Sequence, residues 1–201
     1  MRLIVATKNK GKLREIKAIL KGIDVVLVSL EGLGRKFRIV ENGKTFLQNA
    51  SKKALAVSRI YKSDYVLGED SGLEVACLRN RPGIYSKRYA GKYATDTKNN
   101  IKLLNAVKDV PPAKRGAQYV CCLVLAKAGE VIDVFEGKLC GSISRISKGE
   151  GGFGYDPVFY LSQYKKTVAQ LPLSVKNRIS HRAKAFQKLK KYLNTCRRKN
   201  I

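Results

Sequence analysis

The chain has 201 residues, of which 44% are hydrophobic. It is long enough to bury one sizeable core, or two small lobes around a cleft, and this composition excludes a disordered chain. Its 41 Lys and Arg residues against 15 Asp and Glu residues give a net charge of +26, which predicts affinity for polyanions.

The apolar N-terminal stretch ends at Thr7, too early for a signal peptide or a membrane span. We therefore expect a cytosolic protein without a membrane partner. The first half of the chain then alternates between predicted strands and helices, which favours the α/β class. The predicted elements are a buried strand at 3–6, a loop at 7–11, a helix with an apolar stripe from 13 to 20, a strand at 25–28, a turn at 41–43 and a helix at 45–61 with Thr45 as N-cap.

The second half contains a predicted hairpin, so part of the sheet is expected to be antiparallel. Residues 128–130 form its turn, and the apolar run at 119–126 is typical of a central strand covered on both faces. The other predicted elements are a strand at 65–67, irregular structure at 85–91, a helix at 97–107, strands at 131–135 and 138–146, and a last helix capped by Ser180 that buries Phe186, Leu189, Tyr192 and Leu193. Residues 1–201 are predicted to be a single domain.

The five cysteines contain no C-x-x-C pair. We therefore interpret them as small reduced core residues, and not as a zinc site or a disulfide framework. They are Cys77, Cys121, Cys122, Cys140 and Cys196.

Two acids, Glu69 and Asp70, directly follow the predicted strand at 65–67. Ser71 and Gly72 are turn formers, so the backbone is expected to turn there. Carboxylates on such a turn are held rigidly yet reach solvent, which suits a Mg²⁺ site or a general base. The alternative is an ordinary hydrated turn.

Phosphate-binding groups are predicted near the N-terminus. Thr7, Asn9 and Lys12 lie in a strand-to-helix loop, where backbone N–H groups, a hydroxyl and a cation can hold phosphates. Asn49 and Lys53 are four residues apart on the next predicted helix and share one face. The alternative is an ordinary loop and a solvated helix face.

Residues 149–154 match G-x-G-x-x-G, but they neither follow a strand closely nor open a helix, so we reject a dinucleotide site. The glycines instead let Phe153, Tyr155 and Asp156 crowd one side of a cleft, as a nucleobase site requires. The only histidine, His181, stands beside Arg182 at the start of the last helix, where donors can converge on keto oxygens of a base. A structural histidine is the alternative.

Positive charge dominates the C-terminal part, since residues 157–201 contain no Asp or Glu. Such a field attracts RNA, DNA or nucleotides without distinguishing among them. The alternative is a solvated basic face.

Six ordered motifs resemble those of the inosine triphosphate pyrophosphatase family, and together they span almost the whole chain. They are ATKNKGKLRE at 6–15, ENGKTFLQNA at 41–50, EDSGL at 69–73, PGIYS and RYAG at 82–91, GGFGYDP at 151–157 and ISHR at 179–182. The resemblance implies a two-lobed α/β fold with a long mixed sheet, flanking helices and an active-site cleft between the lobes. It also implies a homodimer, Mg²⁺, and cleavage between the α and β phosphates of ITP, dITP and XTP.

The resemblance also implies roles for individual residues. Asp70 would be the general base and a metal contact, and Glu41 a second metal contact. Arg182 and backbone donors facing O6 would favour hypoxanthine and xanthine over adenine. The residues implied in substrate binding are Thr7, Lys8, Asn9, Lys10, Gly11, Lys12, Lys53 and Ser71 on the triphosphate side, and Phe153, Gly154, Tyr155, Asp156, Lys176, His181 and Arg182 around the purine.

Four positions depart from the family pattern, namely Lys8, Gln48, Glu69 and Gln170. Gln48 and Gln170 replace carboxylates, so a weaker affinity for Mg²⁺ is expected, unless Glu41 and Asp70 supply all the charge that the ion needs. Two other functions stay open: a related nucleotide pyrophosphatase of different base preference, or a basic protein that binds RNA or DNA.

Overall fold

A computed structural model describes residues 1–35 and 37–199, and the fold is mixed α/β. The strands are β1 (Arg2–Val5), β2 (Val26–Ser29), β3 (Tyr65–Val75), β4 (Arg81–Pro82), β5 (Gly116–Lys127), β6 (Glu130–Ile143), β7 (Phe159–Leu161) and β8 (Lys166–Thr167). The helices are α1 (Lys10–Ile19), α2 (Phe46–Ser58), α3 (Asp96–Ala106), α4 (Leu173–Ile179) and α5 (His181–Lys199).

The strands form one eight-stranded sheet with the order β2-β1-β3-β5-β6-β7-β8, and β4 pairs with β3. Strand β1 is parallel to β2 and to β3, with Ile4 opposite Val28 and Val66. Strands β6, β7 and β8 pair in antiparallel fashion, as do β3 and β4. The predicted α/β class with a long mixed sheet and flanking helices is confirmed.

The chain divides into two compact units. Unit 1 comprises residues 1–70, 121–137 and 181–201, and unit 2 comprises residues 71–120 and 138–180. The single domain predicted for residues 1–201 stays a prediction.

In unit 1, side chains alternate between two hydrophobic clusters because successive strand residues point to opposite faces. Leu3, Val5 and Leu67 join a cluster with residues of α1 and α5. Ile4 and Val66 join another cluster, which includes Val57 of α2. This alternation determines which helices the side chains of Glu69 and Asp70, in the middle of β3, can reach.

Unit 2 has a core of its own, built from short stretches of several strands and from α3. Leu73 and Val75 of β3 pack there with Leu103 of α3 and with Phe159 of β7. Tyr119 stacks on Phe159 with ring centroids 4.5 Å apart.

The turn predicted at Ser71 and Gly72 is wrong, since β3 continues unbroken from Tyr65 to Val75. The strand lies between β1 and β5 inside the sheet, where ladder hydrogen bonds outweigh the turn preference of Ser and Gly. Gly68, which precedes the two acids, allows β3 to pack closely against α2. A Cβ atom on Gly68 would lie 2.1 Å from the carbonyl oxygen of Ala50 in α2.

The two strands predicted at 131–135 and 138–146 are one strand, β6, so that division is also wrong. Gly137 lies between the two predicted strands, and a Cβ atom on it would lie 2.1 Å from the carbonyl oxygen of His181. A glycine inside a strand can mark close approach of another backbone and need not mark a turn. Residues predicted as irregular include a short 3₁₀ helix, Gly83–Arg88, and the seven-residue α4 was missed because it is too short for a clear apolar period.

The cysteine interpretation holds for Cys121 and Cys122, which are buried, and is wrong for Cys77 and Cys140, which are exposed. Cys140 is on the exposed side of β6, where alternate residues face solvent. In the ranges 1–35 and 37–199, none of the helices has both the length and the apolar character needed to cross a membrane.

Candidate active site

Asp70 lies at the centre of a cluster in unit 1 that we call the carboxylate–lysine cluster, formed by Glu41, Asn49, Lys53 and Asp70. Lys53 Nζ donates to Asp70 Oδ1 at 3.0 Å and to the Glu69 carbonyl at 3.1 Å. It is also 2.7 Å from Glu41 Oε2. Asn49 Nδ2 donates to Asp70 Oδ2 at 3.2 Å, so both oxygens of the buried Asp70 carboxylate have fixed partners.

Helix α2 positions the two donors of this cluster. Thr45 caps it by accepting from the backbone N–H of Gln48, and Asn49 and Lys53 share a helix face because they are four residues apart. Asn49 Oδ1 also accepts from the Gly43 backbone N–H at 2.8 Å. The same side chain therefore orients Asp70 and ties down the segment that carries Glu41.

The charges of the cluster keep Lys53 protonated. Burial alone would lower the pKa of Lys53, but the carboxylates of Asp70 and Glu41 outweigh it and raise that pKa above its ordinary value. Glu41 keeps 44% of its side-chain surface exposed, while Lys53 keeps 8%. The arrangement is a fixed cation beneath two carboxylates, one buried and one open to solvent.

Glu69 points to the opposite side of β3 from Asp70, as strand alternation requires. Its Oε1 accepts from Arg182 Nε at 3.1 Å and from Arg182 Nη2 at 3.0 Å, and Lys12 Nζ lies 3.4 Å away. Arg182 Nη1 donates to Glu15. We call Glu15, Glu69, Arg182 and Lys12 the Arg182 network.

Arg182 is only 1% exposed, and each of its three guanidinium nitrogens is bonded to a carboxylate. Three of its five N–H donors serve Glu69 and Glu15, and the expectation that its side chain reads a keto oxygen stays a prediction. Arg182 also fixes the strand residue that precedes Asp70 and anchors the start of α5.

Glu69 stays ionised in this network. Its complete burial would raise the pKa, but the charges of Arg182, Lys12 and Lys53 more than offset burial and hold the pKa of Glu69 well below its ordinary value. A carboxylate so strongly stabilised as an anion is a poor proton acceptor. Of the two adjacent acids, Asp70 is thus the better candidate for a base.

The loop before α1 is shaped by its own side chains. Asn9 is the N-cap of α1 and accepts from the Lys12 backbone N–H at 3.0 Å, and Thr7 Oγ1 accepts from the Asn9 backbone N–H. Lys8 Nζ donates to the Phe37 carbonyl at 3.0 Å. Lys10 and Gly11 form the first turn of α1, so their backbone N–H groups belong to the helix end that favours anions.

In unit 2, Asp156 organises the residues predicted to hold a base. Its Oδ2 accepts from Lys176 Nζ at 2.5 Å and from the Phe153 backbone N–H at 2.9 Å. Its Oδ1 accepts from the Tyr119 hydroxyl at 3.2 Å. A Cβ atom on Gly152 would come within 2.0 Å of Asp156 Oδ2, so this loop requires glycine there. Lys176 Nζ also lies 4.6 Å from the centre of the Phe153 ring.

Tyr155 was expected to offer a stacking face, but it is only 4% exposed and belongs to the core of unit 2. Its hydroxyl donates to the Ser86 carbonyl at 2.7 Å, and burial is the main reason that its pKa is raised. Phe153, which is half-buried, is the aromatic residue of this loop with accessible surface. Gly154 is held by Asp96 and Asn100 through its backbone N–H and carbonyl groups.

The last two of the predicted residues are Ser71 and His181. Ser71 lies in unit 2 on β3, partly exposed and next to Asp70. His181 is the first residue of α5 in unit 1 and is 7% exposed. Ser180 precedes it in extended conformation, as predicted for the residue before the helix.

Comparison with known proteins identifies the family. A family model described as the Ham1 family matches residues 3–192. The dITP/XTP pyrophosphatases of Desulforamulus reducens and Geobacter sulfurreducens are 44% and 46% identical to this chain, with 96% of both chains covered in each case. The chain belongs to the Ham1 family. The family resemblance predicted from the motifs is confirmed.

Solved structures agree with this membership. The Staphylococcus aureus Ham1 protein has a TM-score of 0.87 at 38% identity, and the Coxiella burnetii HAM1 protein has a TM-score of 0.88 at 33% identity. Each comparison covers 97% of this chain and 99% of the other. The chain therefore shares the fold of these two proteins over nearly its full length.

A hard divalent cation fits the carboxylate–lysine cluster, because Glu41 and Asp70 offer the oxygen donors that such ions prefer. Within the described residues, no group of three or more His, Cys, Asp or Glu side chains is arranged for a metal. This Ham1 family member would thus supply two carboxylates, and water and phosphate oxygens would complete the coordination.

Glu15 and Tyr119 were not predicted as parts of the site. Glu15 shares the buried face of α1 with Ile16 and Ile19, and an acid among buried apolar positions was the available signal for an ion pair. Tyr119 carried no such signal, because an aromatic residue in a central strand is ordinary core.

Proposed function

We propose that this chain hydrolyses the non-canonical purine nucleoside triphosphates ITP, dITP and XTP to the monophosphate and pyrophosphate. The observation that carries the proposal is the carboxylate–lysine cluster, in which a buried carboxylate is fixed beside a cation and a second, accessible carboxylate. Membership of the Ham1 family supports it, as do relatives named dITP/XTP pyrophosphatase.

In unit 1, each of the cluster and loop residues has its own role toward the triphosphate. Asp70 orients the attacking water and accepts its proton. The charge that develops on the phosphate oxygens is offset by Lys12 and Lys53, and by the backbone N–H groups at the start of α1. Asn49 holds Asp70 in position, and the amide nitrogen of Asn9 and the Thr7 hydroxyl complete the phosphate loop.

We propose Mg²⁺ as the cation that Glu41 and Asp70 hold. When bound, Mg²⁺ supplies charge stabilisation on the phosphate oxygens. Gln170 is not a substitute ligand, because its Oε1 accepts from the Thr167 backbone N–H as part of a helix cap. The homodimer and the cytosolic location stay proposals, and sedimentation analysis tests the first.

In unit 2, Phe153 offers a ring for stacking on a purine, and Asp156 fixes the position of Lys176 beside that ring. A fixed ammonium donor favours a keto oxygen over an amino group, which presents hydrogens to it. Lys176 is thus a second candidate donor to the keto oxygen, besides Arg182. It favours hypoxanthine and xanthine over adenine.

A substrate panel tests the base preference. With Mg²⁺ present, ITP, dITP and XTP should be turned over with kcat/KM about 100-fold or more above that of ATP, since an unpaired donor or acceptor in a site costs that much or more. Pyrophosphate release is the readout, and the Asp70→Asn variant is the blank. Equal turnover of ATP would contradict the base assignment, and preferential turnover of pyrimidine triphosphates would favour the related pyrophosphatase.

A metal titration separates the roles of Glu41 and Gln48. Gln48 was expected to weaken Mg²⁺ binding, but its side chain is exposed and its Oε1 accepts from the Lys44 backbone N–H at 2.7 Å, which favours the alternative that Glu41 and Asp70 suffice. Glu41→Gln should therefore raise the half-saturating Mg²⁺ concentration about tenfold or more, while Gln48→Glu leaves it unchanged. If Gln48→Glu lowered it instead, Gln48 would stand close to the ion.

We also propose non-specific polyanion binding as a second function. Of the cations in the acid-free segment 157–201, Lys165, Lys166, Arg178, Lys184, Lys188 and Lys191 are exposed. Exposed cations release counterions from a nucleic acid on binding, so the affinity should fall steeply as salt rises. Catalysis does not require this activity, and oligonucleotide binding at several salt concentrations tests it.

A further inference from the structure

A second basic segment lies in unit 2 and is separate in sequence from the acid-free segment 157–201. Residues 76–95 contain no Asp or Glu, and they hold five cations and three tyrosines. The cations are Arg79, Arg81, Lys87, Arg88 and Lys92, and the tyrosines are Tyr85, Tyr89 and Tyr93. The proposed hydrolysis uses none of these side chains.

Part of this segment surrounds a cavity of about 470 Å³. Arg81, Tyr85, Arg88, Tyr89 and Lys92 line it together with a proline and a glycine, and we call these five residues the tyrosine–arginine pocket. Among the described residues that line the cavity, none is acidic. A cavity of this volume is large enough for a base and its sugar phosphate.

The two tyrosines of the pocket differ in packing and in solvent exposure. Tyr89 packs against the core of unit 2, and its ring lies 4.8 Å from Lys102 Nζ. Tyr85 is 54% exposed, and the Arg88 guanidinium lies 5.1 Å from the centre of its ring. The pocket thus combines one anchored ring with one accessible ring that carries a cation.

We propose that the tyrosine–arginine pocket binds single-stranded nucleic acid without sequence preference. Every base has a face that can stack on Tyr85, and neighbouring phosphates pair with Arg81, Arg88 and Lys92. This inference rests on the proposed polyanion binding and adds where the strand lies and which form it takes. A duplex fits less well, because its bases are already stacked within it.

Charge decides against a second copy of the chain as the occupant. If two pockets faced each other, Arg81, Arg88 and Lys92 of one copy would meet the same cations of the other. A polyanion lowers that repulsion, and exposed tyrosines beside arginines are typical of surfaces on which unpaired bases stack.

Fluorescence anisotropy with a labelled, mixed-sequence DNA strand of about 12 nucleotides tests the proposal. Tyr85→Ala should weaken binding about tenfold through lost stacking. Arg88→Gln should reduce the slope of log affinity against log salt by about 0.7. Arg145→Gln makes the same charge change at an exposed position of unit 2 outside the pocket and should leave that slope unchanged. Turnover of ITP should be unaffected in all three variants.

Each other outcome overturns a defined part of the proposal. If the wild-type protein binds no strand, polyanion binding fails and the pocket assignment fails with it. If wild type binds but Tyr85→Ala and Arg88→Gln bind equally well, the location is wrong. Loss of binding on changing Lys190, Lys191, Arg197, Arg198 and Lys199 to Gln would then place the strand on the C-terminal segment.

Two further controls distinguish a single strand from a mononucleotide or a second copy of the chain as the occupant of the pocket. If AMP bound as tightly as the strand, the pocket would be a mononucleotide site. If Tyr85→Ala changed the monomer–dimer equilibrium in sedimentation, the pocket would be a contact between copies. Either result would contradict single-strand binding there.

Discussion

Replacing Asp70 by Asn should lower kcat by about 10² to 10⁴, the usual effect of losing a positioned general base. The Asn side chain keeps the shape of Asp70 and loses the charge. It also turns an amide N–H₂ toward Lys53 Nζ or Asn49 Nδ2, which are both donors. The variant should therefore lose the proton acceptor and the fixed geometry together.

Asp64→Asn is the matched control, because the Asp64 side chain makes a long ion pair, at 3.7 Å, with the half-exposed Arg2 in unit 1. It should keep wild-type turnover. Circular dichroism of both variants should match the wild-type spectrum. Near-full activity in Asp70→Asn would contradict the role of Asp70, and the burial of Glu69 in the Arg182 network would leave Glu74 as the acid to test next.

Replacing Arg182 by Met should destabilise the protein by about 3–5 kcal/mol, the usual cost of removing one partner from a buried ion pair. Met keeps much of the apolar stem, while Glu15 and Glu69 lose the cation that compensates their burial. Urea unfolding at neutral pH measures the change. Arg178→Met, at an exposed position of α4, is the control and should change stability by no more than about 0.5 kcal/mol.

The Arg182 network should also make the free energy of unfolding depend on pH in the acid range. Because the pKa of Glu69 is lowered in the folded state, its contribution is complete above its ordinary pKa of 4.5 and is lost as the pH falls below that value. The free energy of unfolding should fall less steeply below that pH in Glu69→Gln than in wild type. An Arg182→Met variant as stable as wild type, or identical acid profiles, would contradict the network.

Sequence patterns predicted the elements well wherever local chemistry decides them. Thr45 was predicted as an N-cap and is one, and the pairing of Asn49 with Lys53 followed from helix periodicity alone. The apolar run at 119–126 lies within β5, whose neighbours β3 and β6 flank it in the sheet.

Two of the errors concern β3 and β6, each of which is one continuous strand where a turn or a break was predicted. Gly68 and Gly137 leave room for a helix backbone that the sequence does not reveal. Ser71 and Gly72 were interpreted as a turn. As a result Glu69 and Asp70 were placed on one turn, although strand alternation sends them to opposite sides of β3.

The sequence also could not predict which charged side chains form buried ion pairs. Arg182 and Glu15 are separated by 167 residues, and nothing local indicates that they meet. The motif around Arg182 pointed to substrate, and the structure adds ion pairs of its guanidinium with Glu15 and Glu69. The choice between Asp70 and Glu69 as base likewise became possible only once their partners were known.

The products formed from ITP test the central claim most directly. Anion-exchange chromatography after incubation with Mg²⁺ should show IMP and pyrophosphate in equal amounts, with no IDP at any time. This result requires attack at the bond between the α and β phosphates. Formation of IDP and inorganic phosphate would contradict the proposed hydrolysis, and so would unchanged ITP together with full activity on canonical triphosphates.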